Sequence, residues 1–151
     1  MKKWSFGVVL FLLLTGCVQD QDQTKISALK VEENDKTLFQ RLISQKPSEL
    51  PYVKSEEKIS VALPDSSSSR YQVQDLILNE DGTSKFASSE PFPVTAEAKK
   101  GIVTFTVPMN PLTAYSSDST DHEPGNIIRG FKLINEDDNK TFAFVLRTDA
   151  K

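Results

Sequence analysis

The stretch 101-GIVTFTVP-108 decides the reading of the fold. Val103, Phe105 and Val107 fall on one side of an extended chain and Ile102, Thr104 and Thr106 on the other, which is the two-residue period of a half-buried strand. Pro108, which has no amide hydrogen for a ladder, closes the run. The same period recurs on both sides of it. Ile59, Val61 and Leu63 alternate with Lys58, Ser60 and Ala62 until Pro64, Asp65 and four serines end the segment. Tyr71 and Val73 alternate with Gln72 and Gln74, after which Leu76, Ile77 and Leu78 break the pattern. That break predicts either a strand covered on both faces or a bulge near Asp75.

Turn chemistry separates these runs. Asp81 and Gly82 within LNEDGTSKF supply residues that tolerate positive φ, and a strand is expected around Phe92 to Ala96. Toward the carboxyl end, NIIRGFKLIN and KTFAFVLRT flank EDDN as a second hairpin, with Phe142, Phe144 and Leu146 facing inward. Arg129 and Lys132, three apart on a strand, are expected on opposite faces. About seven short strands with little helical pattern predict an all-β domain over 58–151, an antiparallel sandwich, with a small barrel as the rival. In strand number and turn spacing the domain resembles the immunoglobulin-like sandwiches that Gram-positive bacteria place behind lipoprotein signals. No residue motif carries functional positions over from that resemblance.

Upstream, residues 18 to 57 are polar and charged and read as a spacer, whose 40 or so residues would span about 35 Å as a flexible chain. One island has helical spacing: Leu38, Phe39, Leu42 and Ile43 share a face within 35–45, with Asn34 or Asp35 as N-cap and Pro47 as a stop. Such a stripe is expected to rest on the domain.

The first residues carry an address. Lys2 and Lys3 precede an apolar run from Trp4 to Leu14, which ends in Thr15, Gly16 and Cys17. A helix over Trp4 to Thr15 covers about 18 Å, short of the ~30 Å hydrocarbon core of a bilayer. Leu14-Thr15-Gly16-Cys17 resembles the lipobox of bacterial lipoproteins. That resemblance implies removal of a signal peptide, residues 1–16, and diacylglycerol on the sulfur of Cys17. Two acyl chains convert marginal binding into stable anchoring, so the mature chain is expected on the extracytoplasmic face of a cell membrane. Val18 rather than an acid follows the cysteine. In a Gram-negative cell this would point outward, but the Lys-rich, Ala-poor composition favours a Gram-positive host.

Composition narrows the function. Removing residues 1–16 takes two lysines from 18 basic residues and nothing from 21 acidic ones, leaving a net charge of −5. An acidic chain without clustered Lys and Arg argues against nucleic-acid binding. A single cysteine permits no disulfide within the chain, so stability must come from the core. The longest connection, Pro108 to Asn126, holds the only histidine. Its Met109, Leu112 and Tyr115 either contact a partner or fold back over the end of the core. Asp118, Asp121, His122 and Glu123 are candidate metal ligands, although neither zinc nor calcium spacing is met.

No G-x-S-x-G elbow presents a serine and no carboxylate pair stands out, so an enzyme is not expected. The leading expectation is a non-enzymatic binding or adaptor module for a protein or cell-wall component, without cofactor beyond the covalent lipid. The alternatives are a metal-binding or metal-dependent hydrolytic protein using 118–123, and a precursor whose signal residues, Val9 to Gly16, yield a pheromone peptide.

Overall fold

The computed structural model describes residues 23–32, 37–43, 46–64 and 66–151. Cys17, the signal segment with Val9 to Gly16, the proposed caps Asn34 and Asp35, and Asp65 lie outside the described residues.

Nine strands and one short α-helix are described: β1 (Thr24–Ser27), β2 (Leu29–Val31), α1 (Leu38–Leu42), β3 (Lys58–Ala62), β4 (Tyr71–Leu78), β5 (Phe92–Val94), β6 (Glu97–Lys99), β7 (Ile102–Thr106), β8 (Ile127–Asn135) and β9 (Thr141–Thr148). They form a four-stranded sheet in the order β1-β3-β7-β6 and a five-stranded sheet in the order β2-β9-β8-β4-β5. Neighbours are antiparallel except β1 and β3, which are parallel. The fold is all-β with little helix.

The inner faces of both sheets feed one core. Val61, Val103 and Phe105 of the first sheet cluster with Val73, Phe131 and Phe144 of the second. Phe105 lies 5.4 Å from Phe131 and 6.4 Å from Phe144 between ring centroids, and Phe131 stacks on Phe144 at 5.1 Å. Aromatic pairs at such spacing add about 0.5–1.5 kcal/mol each beyond their burial. The alternation read in 101–108 is the observed one: Val103, Phe105 and Val107 are buried, while Ile102 and Thr106 are exposed.

The irregularity in β4 is resolved by coverage, not by a bulge. Pairing of β4 with β8 runs unbroken from Tyr71 to Leu78. Ile77 faces the shared core side, whereas Leu76 and Leu78 join a second cluster with Leu38, Phe39, Ile43 and Val145. α1 therefore lies on the outer face of the five-stranded sheet. Gly130 makes the seat: a Cβ there would stand 2.6 Å from Phe39 Cε1 and 2.8 Å from Leu78 Cδ1, so only a glycine lets the ring sink to the sheet. Lys132, on the same face of β8, places its ammonium 5.8 Å from the Phe39 ring centroid. Arg129 points the other way, as the spacing predicts.

Three expectations change. The stretch expected as a spacer with one short helix also supplies β1 and β2, and Val53 within it is wholly buried. β1 offers only Ile26 to the shared core and β2 only the half-buried Val31 to the second cluster, so backbone pairing holds them and no long apolar period announces them. The helix spans 38–42, shorter than 35–45, with Thr37 at its N-cap position and no side-chain cap bond. Asp81-Gly82 does turn the chain, with Gly82 at φ 81°, but only an isolated bridge, Leu78 to Ser84, follows it. A further tight hairpin joins β6 to β7 through Lys100 (φ 52°) and Gly101 (φ 77°).

Candidate functional site

The connection from Pro108 to Asn126 is anchored by a buried charge. Asp75 and Arg129 lie on the inner face of adjacent strands, each 1% exposed. Arg129 Nε donates to Asp75 Oδ1 at 3.0 Å and Nη2 to Oδ2 at 2.5 Å. Its Nη1 donates to the Pro108 carbonyl at 2.7 Å, and the guanidinium carbon stands 5.3 Å from the Phe131 centroid. Asn110 Nδ2 completes the set by donating to Asp75 Oδ2 at 2.7 Å. Two buried charges whose donors and acceptors are met contribute little net stability, but they hold one geometry firmly.

From that anchor the chain turns outward. Asn110 Oδ1 accepts from the Leu112 amide at 3.0 Å and caps a 3₁₀ turn, Pro111–Tyr115. Thr113 Oγ1 donates toward the carbonyls of Asn110 and Ala150, both at 2.8 Å. Asn110 and Thr113 are thus the buried residues of this segment. Leu112 is half-buried between them, whereas Met109 is 56% and Tyr115 77% exposed. Two apolar side chains stand in solvent on a segment fastened at both ends.

The second half of the connection is braced by its own acids. Asp118 Oδ1 accepts from the Thr120 hydroxyl at 2.7 Å and amide at 3.0 Å, starting a further 3₁₀ turn, Ser119–His122. The Thr120 hydroxyl, then its amide, hold the Asp118 carboxyl below the usual carboxylate range, with Lys85 and His122 adding weaker attraction. Asp121 is buried and takes both the Lys85 ammonium and the Ser116 hydroxyl. His122 Nε2 lies 3.3 Å from the Ser116 carbonyl, and Glu123 Oε2 accepts from Asn126 Nδ2 at 3.5 Å. Each of the four candidate metal ligands is engaged within the loop or with Lys85, Ser116 serving both Asp121 and His122, and among the described residues no three of His, Cys, Asp or Glu gather as a metal centre requires.

Beside this loop lies a cleft of about 650 Å³, bounded by the loop, the 79–85 turn and a short 3₁₀ turn at Pro47–Glu49. Its walls carry Lys46, Lys85 and Arg147 against Glu80, Asp118 and Asp121. Arg147 spends its guanidinium on two carbonyls, Leu50 at 3.4 Å and Gly125 at 3.3 Å. The volume is within the range of small-ligand pockets, and its mixed charges suit a polar segment bearing both signs. None of the three cations was singled out in the sequence; they come from separate segments with no shared spacing.

The chain matches no protein-family model, no curated protein sequence and no solved structure. The fold and this loop define it as an all-β protein of two sheets presenting a braced, partly apolar connection at one end of its core.

Proposed function

We propose that this chain is a lipid-anchored lipoprotein of the extracytoplasmic membrane face, whose immunoglobulin-like β-sandwich is a non-enzymatic binding module for a protein or cell-wall component. The observation that carries the binding role is the exposure of Met109 and Tyr115 on a loop fixed by Asn110, Asp75 and Arg129. A rigid loop loses little conformational freedom on binding, so exposed apolar groups on it suit an interface core better than the same groups on a loose chain. Two sheets around one core support the sandwich reading, and Leu14-Thr15-Gly16-Cys17 supports the anchor.

The test is photo-crosslinking in intact cells with benzoylphenylalanine in place of Tyr115, and at Asp138 on the opposite β8–β9 hairpin tip as control. A discrete adduct from position 115 that is absent from position 138 is the expected outcome. Equal labelling at both positions, or none at 115, contradicts the reading.

A further inference from the structure

The two sheets differ in what lies on their outer faces. α1 covers that of the five-stranded sheet, whereas on the four-stranded sheet the outward residues Lys25, Lys58 and Lys99 are exposed, with Lys100 at the adjoining hairpin tip. The registers spread them over three cross-strand rows of this one face: Lys58 opposite Thr106, Lys25 opposite Ser60, and Lys99 opposite Ile102. Among the described residues none of these four lysines has an ion-pair partner. Glu97 is the single acid among the outward positions of the four strands. Between the cations sit small or apolar groups, Ala62 and Ile102, the latter 47% exposed. A basic, partly apolar face on a chain of net negative charge is a segregated feature, not an average one.

The route of the chain says what this face meets. Gln23 enters the fold on it, its Oε1 accepting from Ser60 Oγ at 2.7 Å. Cys17 is six residues earlier, so even a straight chain reaches only about 22 Å from Cys17 to Gln23. The 40-residue spacer expected from sequence would have allowed the domain to stand well clear of the bilayer; a six-residue link does not.

We infer that the outer face of the four-stranded sheet docks on the anionic phospholipid headgroups of the membrane that holds the anchor. This inference rests on the lipid-anchor reading. Lysines next to an anionic surface are attracted over about a Debye length, and Ile102 and Ala62 fit the interfacial layer between them. Docking in this way would set the orientation of the domain as well as its distance from the bilayer.

The experiment uses the full lipidated chain carrying Thr104→Cys, labelled with a fluorophore and reconstituted into vesicles that contain a headgroup quencher. The vesicles are either phosphatidylcholine alone or phosphatidylcholine with about 30 mol % phosphatidylglycerol. Flotation of the same samples reads the anchor separately. The expected result is flotation with both vesicles and about threefold stronger quenching with the anionic ones, lost at about 0.5 M salt and in the variant with Lys25, Lys58, Lys99 and Lys100 all changed to Gln. Flotation with equal quenching in both vesicles, or quenching that survives the four substitutions, overturns docking and leaves the anchor standing. Failure to float overturns both. Equal quenching, together with loss of binding to isolated anionic wall polymer in the fourfold variant, would assign the face to the wall instead.

Discussion

Asp75 of β4 and Arg129 of β8 meet diagonally across the inner face of the five-stranded sheet and form a two-point ion pair in a region otherwise filled by Phe131, Leu146 and their neighbours. Removing only the acid, Asp75→Ala, strands a buried guanidinium and should cost about 3–5 kcal/mol in urea unfolding. Asp75→Leu with Arg129→Met should recover most of that loss. The recovery stays incomplete because Asn110 Nδ2 and the Pro108 carbonyl still lose their partners.

Gly130 and Phe39 form a second coupled pair. Gly130→Ala pushes a methyl group into the Phe39 ring and should destabilise by about 1–3 kcal/mol. Phe39→Ala should cost about 3–5 kcal/mol through the cavity it leaves. Adding Gly130→Ala to Phe39→Ala should then cost little, and a double-mutant cycle by denaturant titration measures the difference.

On the long loop, exposure and anchoring predict opposite outcomes. Met109→Ala and Tyr115→Ala should change stability by no more than about 0.5 kcal/mol. Asn110→Ala should cost about 1–3 kcal/mol by leaving a buried carboxylate oxygen short of a donor. Thermal unfolding of the three variants checks the order. Recovery of the partner by chemical crosslinking of intact cells should fall after Met109→Ala and Tyr115→Ala without any loss of fold.

At the β8–β9 hairpin tip, the Ser68 hydroxyl, followed by the Arg70 guanidinium, holds the Asp137 carboxyl below the usual carboxylate range. A carboxyl with a lower pKa in the folded chain adds stability above its unfolded value, about 3.9, and that contribution disappears as pH falls through the folded value. Ser68→Ala should raise the Asp137 pKa toward the ordinary value, which carbon-detected NMR titration between pH 2 and about 5 would follow. Because the pair is exposed, salt should weaken the part due to Arg70.

The parts of this fold that sequence discloses are those in which one side chain in two meets a core. Val103, Phe105 and Val107, or Phe142, Phe144 and Leu146, declare their face by period alone, and Leu38 with Phe39 does the same for a helix. β1 and β2 give no such signal because edge strands are held by backbone pairing to β3 and β9, whose positions depend on the finished sheets. Asp75 showed only as the place where alternation failed; its partner lies 54 residues away, and no local spacing connects them. Met109, Leu112 and Tyr115 could be picked out as apolar residues in a long connection. Which of them is exposed was decided by Asn110 and Thr113, two small polar residues whose importance comes entirely from what they touch.

The proposed anchor is tested most directly by growing cells with an alkyne-bearing fatty acid and following the label into this protein, as wild type and as Cys17→Ser. The expected result is label on the wild-type product, none on the serine variant, and a mature amino terminus at Cys17 by mass spectrometry. Equal label on both forms, or an unlabelled wild-type product that begins at another residue, would contradict it.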